Sequence, residues 1–282
     1  MPPRGSLLRS GEESAAGPMT ITEPDNPGLE PTESSCDLAN GGTGGIRETT
    51  IDLAICIAAT TLTAVGVAGM VLVRGTLYRG YAFPLLMLAS SGYMLVAVLG
   101  GGLRRRYGRL IVAALALCWL GDYVGPGRFM TGLAAFLLAH FVFMAAFWVR
   151  GIEVKRLVGS IVVVLAVSGG LAFWLFPRVP AADRVPIVAY VLVINAMMVL
   201  AGGTRGGPGH LLIVLGAAAF YVSDVLLARG KYVSSGSFNT VIGYPLYYTA
   251  CMLFAYSAAA RRADRVKADR PGEGHAEEPS HA

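Results

Sequence analysis

The chain has 282 residues, of which 54% are apolar and only 15% are charged, and its mean hydropathy is +0.57. An ordinary water-soluble domain does not have this composition, so the sequence indicates a polytopic membrane protein. The formal net charge of +5 arises from loops and tails, and no basic stretch is interleaved with exposed aromatic residues, which argues against a nucleic-acid-binding protein.

Eight mostly apolar segments follow one another along the chain. Their approximate bounds are 51–73, 82–99, 109–124, 129–149, 157–176, 186–201, 211–229 and 241–259. Segments of this length predict transmembrane helices, and the short connections between them favour an antiparallel bundle. We therefore predict an all-α fold, with an eight-helix transmembrane domain over residues 46–260.

The two ends of the chain differ in composition from the spans. Residues 1–45 are rich in Pro, Gly, Ser, Thr and Glu, and residues 261–282 are charged and contain Pro and Gly. Such segments bury too little apolar surface to offset their chain entropy, which predicts disordered tails. The first segment also lacks the continuous apolar core of a cleavable signal peptide, so we expect the first span to act as the insertion signal.

The distribution of cationic side chains predicts the orientation in the membrane. With eight spans both termini lie on one side, and that side holds thirteen Lys and Arg residues outside the N-terminal tail, against seven in the opposite loops. The positive-inside rule then places both termini in the cytoplasm. The high content of Ala, Gly and Arg suggests a GC-rich bacterium, hence an integral protein of a bacterial plasma membrane. The oligomeric state stays open.

Cysteine usage gives no sign of a disulfide framework or a zinc site. Cys36, Cys56, Cys118 and Cys251 are scattered, and no Cys-x-x-Cys spacing occurs. The potential ligands also lack a His-x-x-x-His spacing, so we expect no metal and no other cofactor.

Two aspartates lie inside apolar spans. Asp122 is in the third span, within Leu120-Gly121-Asp122, and Asp224 is in the seventh, within Ser223-Asp224. A carboxylate at the centre of a membrane helix costs roughly 2.5–3.5 kcal/mol, so it normally faces a protein interior or a wet cavity. A structural carboxylate satisfied by neighbouring hydroxyls is the alternative, and the cost favours a functional site.

Further polar side chains lie at depths that allow them to line the same cavity, which would reach from the outer surface to the midplane. They are His140, Asn195, Ser223, Tyr247 and Tyr248. His140 has a structural alternative of nearly equal weight, a hydrogen bond between two helices. For Asn195 and Ser223 interhelical hydrogen bonding is the more frequent role, and the tyrosines also suit ordinary packing.

Two carboxyl groups in one pocket of low dielectric do not easily ionise together, which leaves an acid beside a base at neutral pH. This arrangement suits general acid and base work on ether and acetal bonds. A serine nucleophile is not supported, because the chain has no Gly-x-Ser-x-Gly turn.

Four cationic residues fall near the ends of spans on the side opposite the termini: Arg128, Arg178, Arg184 and Lys231. The simplest interpretation is that they anchor the helices at the membrane interface. The alternative is that one or two of them contact a phosphate head group at the mouth of the cavity.

The order and spacing of motifs across five spans resemble the YhhN-like, lysoplasmalogenase family, over about residues 51–260. The matching positions are Leu120-Gly121-Asp122, Phe129, Gly132-Leu133, Phe136-Leu137-Leu138, His140, Phe147, Tyr190, Asn195, Met198, Gly216, Ser223-Asp224, Leu226-Leu227, Lys231, Tyr247-Tyr248 and Ala250. The chain departs from the family in its long N-terminal tail and in Cys251, which stands where members commonly have glutamine.

The resemblance implies an eight-span membrane hydrolase that acts on a lysophospholipid. Characterised members cleave the vinyl ether bond of lysoplasmalogens to a fatty aldehyde and a glycerophospho-base. It also implies that Asp122 and Asp224 form the catalytic pair, with His140 and Tyr248 as supporting groups.

Two other classes of protein stay open. A proton-coupled transporter or lipid carrier also uses intramembrane Asp and His, although the spans that hold the two aspartates contain no proline that would break a helix. A non-catalytic membrane scaffold of the same fold would tolerate replacement of both aspartates.

Overall fold

The computed structural model describes residues 37–73 and 79–268, with side-chain surroundings for residues 53–73 and 80–259. The helices in this part of the chain are α1 (Asp37–Val73), α2 (Ala82–Leu99), α3 (Arg106–Val124), α4 (Phe129–Arg150), α5 (Val154–Leu175), α6 (Ala181–Gly203), α7 (His210–Tyr232) and α8 (Ser237–Ala268). Three short 3-10 turns and one isolated antiparallel bridge, between Ile152 and Thr204, complete its secondary structure. The predicted all-α fold is confirmed.

Seven of these helices contain segments long and apolar enough to cross a membrane, from Leu53–Val73 in α1 to His210–Tyr232 in α7. Helix α8 is not among the seven, since it carries four tyrosines between positions 244 and 256 that reduce its apolar character. It nevertheless packs along α7 and α2. The prediction of a helical polytopic membrane protein is therefore confirmed.

Several helices are longer than the apolar segments that predicted them. Helix α6 covers Ala181–Gly203, where hydropathy indicated 186–201, and α8 covers Ser237–Ala268, where it indicated 241–259. Backbone hydrogen bonding continues past the last apolar residue, so a hydropathy window underestimates helix length.

Most of the two predicted tails, positions 1–36 and 269–282, lies outside the described residues. Positions 37–45 and 261–268 are helical, as the ends of α1 and α8, so both helices extend beyond the predicted domain boundaries. A disordered state remains a proposal for the other positions of the tails.

Helices α3 and α4 approach each other closely through glycines. A Cβ added at Gly132 would lie only 2.7 Å from the Cα of Gly125, and a Cβ at Gly121 would lie 2.8 Å from the ring of Phe136. Small residues at such a crossing increase van der Waals contact between membrane helices, which have no hydrophobic driving force between them in lipid. The close crossing brings the end of α3, with its aspartate, against the first turns of α4.

A cluster of aromatic rings joins α4, α7 and α8 in the core. Phe143, Phe147, Phe220 and Phe254 are each at most 1% exposed, and the centroids of Phe143 and Phe254 are 4.5 Å apart. Such ring pairs add about 0.5–1.5 kcal/mol beyond the area that they bury. The cluster fixes α7 relative to α4 and α8, the helices around the second intramembrane aspartate.

Replacing Gly132 by Val is expected to lower the free energy of unfolding by about 1–3 kcal/mol, because the new side chain overpacks the crossing with α3. Gly159→Val is the matched control, since a Cβ at Gly159 meets no atom within 4 Å. Thermal unfolding of both variants in detergent tests this. Equal losses for the two variants would show that helix propensity, not the crossing, determines the effect.

Candidate active site

A cavity of about 550 Å³ lies between α3, α4, α7 and α8, and both intramembrane aspartates line it. Its walls include Leu86, Leu133, Phe136, Phe220, Leu226 and Leu227. The connection between α3 and α4 contributes Gly125 and Pro126, and the connection between α7 and α8 contributes Ser235 and Gly236. The cavity therefore extends to the end of the bundle at which these two connections lie, and its inner part is largely apolar.

Four hydroxyl groups surround one carboxyl oxygen of Asp122, Oδ2. Asp122 is only 6% exposed. Ser90 and Tyr247 donate to Oδ2 over 2.6 and 2.9 Å, and Tyr93 donates to it over 3.4 Å. The hydroxyl of Tyr248 also lies 3.4 Å from Oδ2, but the carbonyl oxygen of Leu86 is a slightly nearer acceptor for it, at 3.3 Å. An ionised carboxylate only accepts hydrogen bonds, and such donors stabilise it. This set of partners favours the carboxylate form of Asp122.

Asp224 has a different environment, although it faces the same cavity. Tyr190 donates to Oδ2 over 2.9 Å, and Nε2 of His140 lies 3.6 Å from the same oxygen. The side chain of Asp224 is 13% exposed, whereas that of His140 is fully buried. Asp224 thus has one hydroxyl partner and one imidazole neighbour in place of the four hydroxyls around Asp122.

The hydrogen bond of His140 to the main chain determines its tautomer. Nδ1 lies 2.6 Å from the carbonyl oxygen of Phe136, and that oxygen only accepts, so Nδ1 carries a hydrogen. In the neutral ring Nε2 then has a lone pair, and it makes no hydrogen bond within the described part of the chain. A proton on Nε2 or on the carboxyl of Asp224 would remove the repulsion between this lone pair and an ionised carboxylate. The pair is therefore a candidate store for one proton.

Aromatic rings lie between the residues that contact Asp122 and those that contact Asp224. The ring of Phe220 packs edge-on against both His140, at 4.9 Å between centroids, and Tyr247, at 5.4 Å. Phe136 packs edge-on against Tyr247 at 5.6 Å. These rings exclude water from the floor of the cavity, so charges there are weakly screened.

The structure places four of the five predicted supporting residues near the aspartates. His140 contacts Asp224, and Tyr247 and Tyr248 contact Asp122. Ser223 lines the cavity, but its hydroxyl donates to the carbonyl oxygen of Gly243 over 3.0 Å, which ties α7 to α8.

Asn195 lies elsewhere. Its Oδ1 accepts a hydrogen bond from Ser168 over 2.7 Å, and the Ser168 hydroxyl is 2.8 Å from that of Tyr221. This group joins α5, α6 and α7, and none of its members lines the cavity. The geometry fits interhelical hydrogen bonding, which is the more frequent role for such a residue, and not the supporting role at the cavity that was predicted for Asn195.

Replacing Asn195 by Ala is expected to lower the free energy of unfolding by about 0.6–1.7 kcal/mol, the usual range for an interhelical hydrogen bond in a membrane protein. Chemical denaturation in mixed micelles measures the change. Ser168→Ala should give a similar loss, and the double variant should lose less than the sum, because each single change removes the same bond. Strict additivity would contradict this assignment.

Sequence reasoning missed three partners of the carboxyl groups: Ser90, Tyr93 and Tyr190. Ser90 and Tyr93 lie in α2, which carries no charged residue, so nothing in the sequence marked that helix as part of a site. Tyr190 was one of the positions that match the family, and this match was the sequence signal that could have identified it.

A second cavity, of about 680 Å³, lies between α1 and α8. Tyr248 lines it together with apolar residues such as Val67 and Leu253, but neither aspartate does. The described residues that line this second cavity include hydroxyl groups but no acidic or basic side chain. Cys251 is fully buried and lines neither cavity.

No group of three or more His, Cys, Asp or Glu residues in the described part of the chain could hold a metal ion. The site therefore consists of two carboxyl groups, an imidazole and several hydroxyls in the wall of an intramembrane cavity. Fold and site together define a class, a polytopic helical membrane protein with paired acidic side chains in a buried pocket.

The YhhN family matches residues 76–258, so the chain belongs to this family. It is 26% identical over 170 residues to a lysoplasmalogenase of Mycobacterium bovis, a match that covers 57% of the chain and 63% of that protein. It is 27% identical over 176 residues to human lysoplasmalogenase TMEM86B, covering 61% of the chain and 71% of the relative. The pig (Sus scrofa) lysoplasmalogenase TMEM86B is 30% identical over 162 residues, covering 57% and 66%. No solved structure is significantly similar to the chain.

Proposed function

We propose that this protein is a membrane-embedded hydrolase that cleaves the vinyl ether bond of a lysoplasmalogen, releasing a fatty aldehyde and a glycerophospho-base. The observation that carries the proposal is that two carboxyl groups with different hydrogen-bond environments, that of Asp122 buried and that of Asp224 13% exposed, line one cavity. The relatives named lysoplasmalogenase support the choice of substrate class. The reaction needs one acid and one base, and the two carboxyl groups in the cavity wall can supply both.

The first step is protonation of the alkene carbon remote from the ether oxygen. The proton held jointly by Asp224 and His140 is transferred to this carbon, and the electron pair of the double bond forms the new C–H bond. The ether oxygen stabilises the resulting cation as an oxocarbenium ion. Asp224 is the group that would face the carbon, since it lines the cavity, whereas His140 lies behind it.

The second step is the addition of water to the oxocarbenium ion. The carboxylate of Asp122 stabilises the cation and accepts a proton from the attacking water, as the second carboxylate of an inverting glycosidase does. Its hydroxyl partners, chiefly Ser90 and Tyr247, hold the carboxylate in position. The product of this step is a hemiacetal.

The third step is collapse of the hemiacetal, which regenerates both carboxyl groups. Asp122 returns its proton to the departing glycerol oxygen, and the hemiacetal hydroxyl returns its proton to the pair of Asp224 and His140. The C–O bond to glycerol breaks as the aldehyde forms. Proton transfers of this kind contribute about 10²–10⁴-fold each to the rate.

Purified wild-type protein in detergent is expected to release aldehyde from choline or ethanolamine lysoplasmalogens and not from the saturated alkyl ether. In D₂O the aldehyde should carry one deuterium on the carbon next to the carbonyl group, because that carbon is the one protonated. In H₂¹⁸O the released glycerol hydroxyl should contain no ¹⁸O, because water attacks the other carbon. Folded protein that releases no aldehyde from any of these lipids would contradict the proposal.

A proton-coupled carrier is the second candidate, because the proton store formed by His140 and Asp224 also suits a relay. Liposomes that contain labelled lysoplasmalogen distinguish the two. A carrier moves the label across the bilayer and leaves the lipid intact, whereas the proposed hydrolase converts it to aldehyde.

We also propose that both termini lie in the cytoplasm, which would place the mouth of the cavity at the outer face of the membrane. Arg128 is exposed in the connection between α3 and α4, at this mouth. A cysteine introduced as Arg128→Cys, in a chain whose Cys36 is replaced by Ser, is expected to react with a membrane-impermeant maleimide added to intact cells. Protection in intact cells, with labelling only after lysis, would indicate the inverted orientation.

A further inference from the structure

A lysine lies at the mouth of the cavity, held by groups from three helices. Lys231, in the last turn of α7, lines the cavity that contains both aspartates. Its Nζ is 3.3 Å from Oδ2 of Asp183 in α6 and 4.2 Å from the ring centroid of Phe129 at the start of α4. Tyr232 donates to the same oxygen of Asp183 over 2.9 Å. These contacts fix an ammonium group at the cavity wall.

Lys231 lies on the same helix as Asp224, the proposed acid. Asp224 and Lys231 are seven residues apart, so they lie on the same face of the helix and about 10 Å apart along its axis. Six of the seven cavity-lining residues of α7 repeat at this helical spacing, with Leu226 beside them: Phe220, Ser223, Asp224, Leu227, Gly230 and Lys231. A ligand that lies along this face therefore meets the carboxyl group at one end and the ammonium group at the other.

Structural stabilisation alone does not account for this arrangement. The side chains of Lys231 and Asp183 are 29% and 24% exposed, and an ion pair of that exposure contributes only about 0–1 kcal/mol. Among the described residues that line the cavity, Lys231 alone is cationic. An ammonium group has three donors, so Lys231 can bind a further anion while it remains beside Asp183.

We propose that Lys231 binds the phosphate of a lysophospholipid head group at the mouth of the cavity and thereby sets the depth at which the ether bond meets Asp224. This inference rests on the proposed function, which identifies the bond at the other end of the ligand as a vinyl ether. From the alkene carbon through the ether oxygen and the glycerol unit to a phosphate oxygen, the extended ligand has a length comparable to the axial separation of the two residues. Asp183 is a positioning residue, which holds the ammonium group and competes with the phosphate for it.

The test measures binding of a saturated 1-O-alkyl lysophospholipid, which cannot undergo the reaction, to the full chain in detergent micelles. The ligands compared are this lipid, the 1-O-alkylglycerol that lacks the phosphate, and glycerophosphocholine, which lacks the chain. Lys231→Met is expected to weaken binding of the phospholipid by about 10- to 100-fold, the loss typical of a charge-assisted hydrogen bond, and to leave binding of the alkylglycerol unchanged.

Two further variants separate phosphate binding from structural effects. Asp183→Asn removes the same ion pair but keeps the ammonium group, so it should bind the phospholipid as tightly as wild type or more tightly. Arg128→Met removes a cation from an exposed position at the same end of the bundle that does not line the cavity, and it should have no effect.

Three outcomes would overturn the inference. In the first, Lys231→Met and Asp183→Asn weaken binding of the phospholipid equally, and in the second, Lys231→Met weakens binding of the phospholipid and of the alkylglycerol equally. In the third, glycerophosphocholine binds as tightly as the phospholipid. The last outcome would identify a site for a free phosphate ester. Failure of the proposed function would give a different result. The wild-type protein would bind the alkyl lipid with the predicted dependence on Lys231 but would release no aldehyde from a lysoplasmalogen.

Discussion

Asp224→Asn is expected to lower aldehyde release by about 10²–10⁴-fold, the contribution of a positioned general acid. An amide has no proton acidic enough to transfer to an alkene carbon. In the wild type Nε2 of His140 lies 3.6 Å from the carboxyl group of Asp224, and in the variant it faces the amide instead. The fold should persist, because the amide oxygen can still accept the hydrogen bond of Tyr190. The measurement is initial rate with a vinyl ether lysophospholipid, beside binding of the saturated alkyl ether analogue.

The control for this variant is Glu153→Gln, which replaces an exposed carboxylate just before α5 that does not line the cavity. It should retain the turnover rate of the wild type at saturating substrate. If Asp224→Asn kept a comparable rate while Glu153→Gln lost it, the acid would have to be sought outside the cavity.

Asp122→Asn is expected to lower the rate by about 10²–10³-fold, the loss typical when one electrostatic partner of a transition-state charge is removed. The side chain keeps an oxygen that Ser90 and Tyr247 can bond, so thermal stability should change little. Affinity for the saturated ether should also persist, since that ligand carries no positive charge at the ether. The effect is therefore predicted on turnover and not on binding.

Chemical rescue distinguishes the two roles. Formate added to Asp122→Ala is expected to restore part of the rate, because a small carboxylate can occupy the vacated space, stabilise the cation and accept the proton of water. The same addition to Asp224→Ala should restore nothing, because the formate anion cannot supply the proton that the carbon needs. Rescue of Asp224→Ala alone would reverse the assignment of acid and base.

Much of the fold was accessible from hydropathy alone. The predicted span at 82–99 coincides with α2, Ala82–Leu99, and the span at 129–149 ends one residue before α4 does. The N-terminal turns of α1 and α6 and both ends of α8 were underestimated, because these turns contain polar residues that a hydropathy window assigns to loops. The composition of a helix determines whether it enters the membrane, and its backbone hydrogen bonds determine where it ends.

The candidate site was accessible only in part. The cost of a carboxylate in lipid identified Asp122 and Asp224 from the sequence, and the structure places both in the wall of one cavity. The same reasoning placed Asn195 with them, because depth along a helix can be counted from the sequence but rotation about the helix axis cannot. Asn195 faces α5 and Tyr221 instead of the cavity.

The sequence by itself determined that this chain is a helical membrane protein with two carboxyl groups too costly to leave in lipid, and it carried the motifs of the YhhN family. Only the tertiary structure decided which hydroxyls and which imidazole meet each carboxyl group. Ser90 lies 32 residues from Asp122, and His140 lies in α4 while Asp224 lies in α7. Contacts of this kind depend on which helices are neighbours and how each is rotated, and packing between helices fixes both.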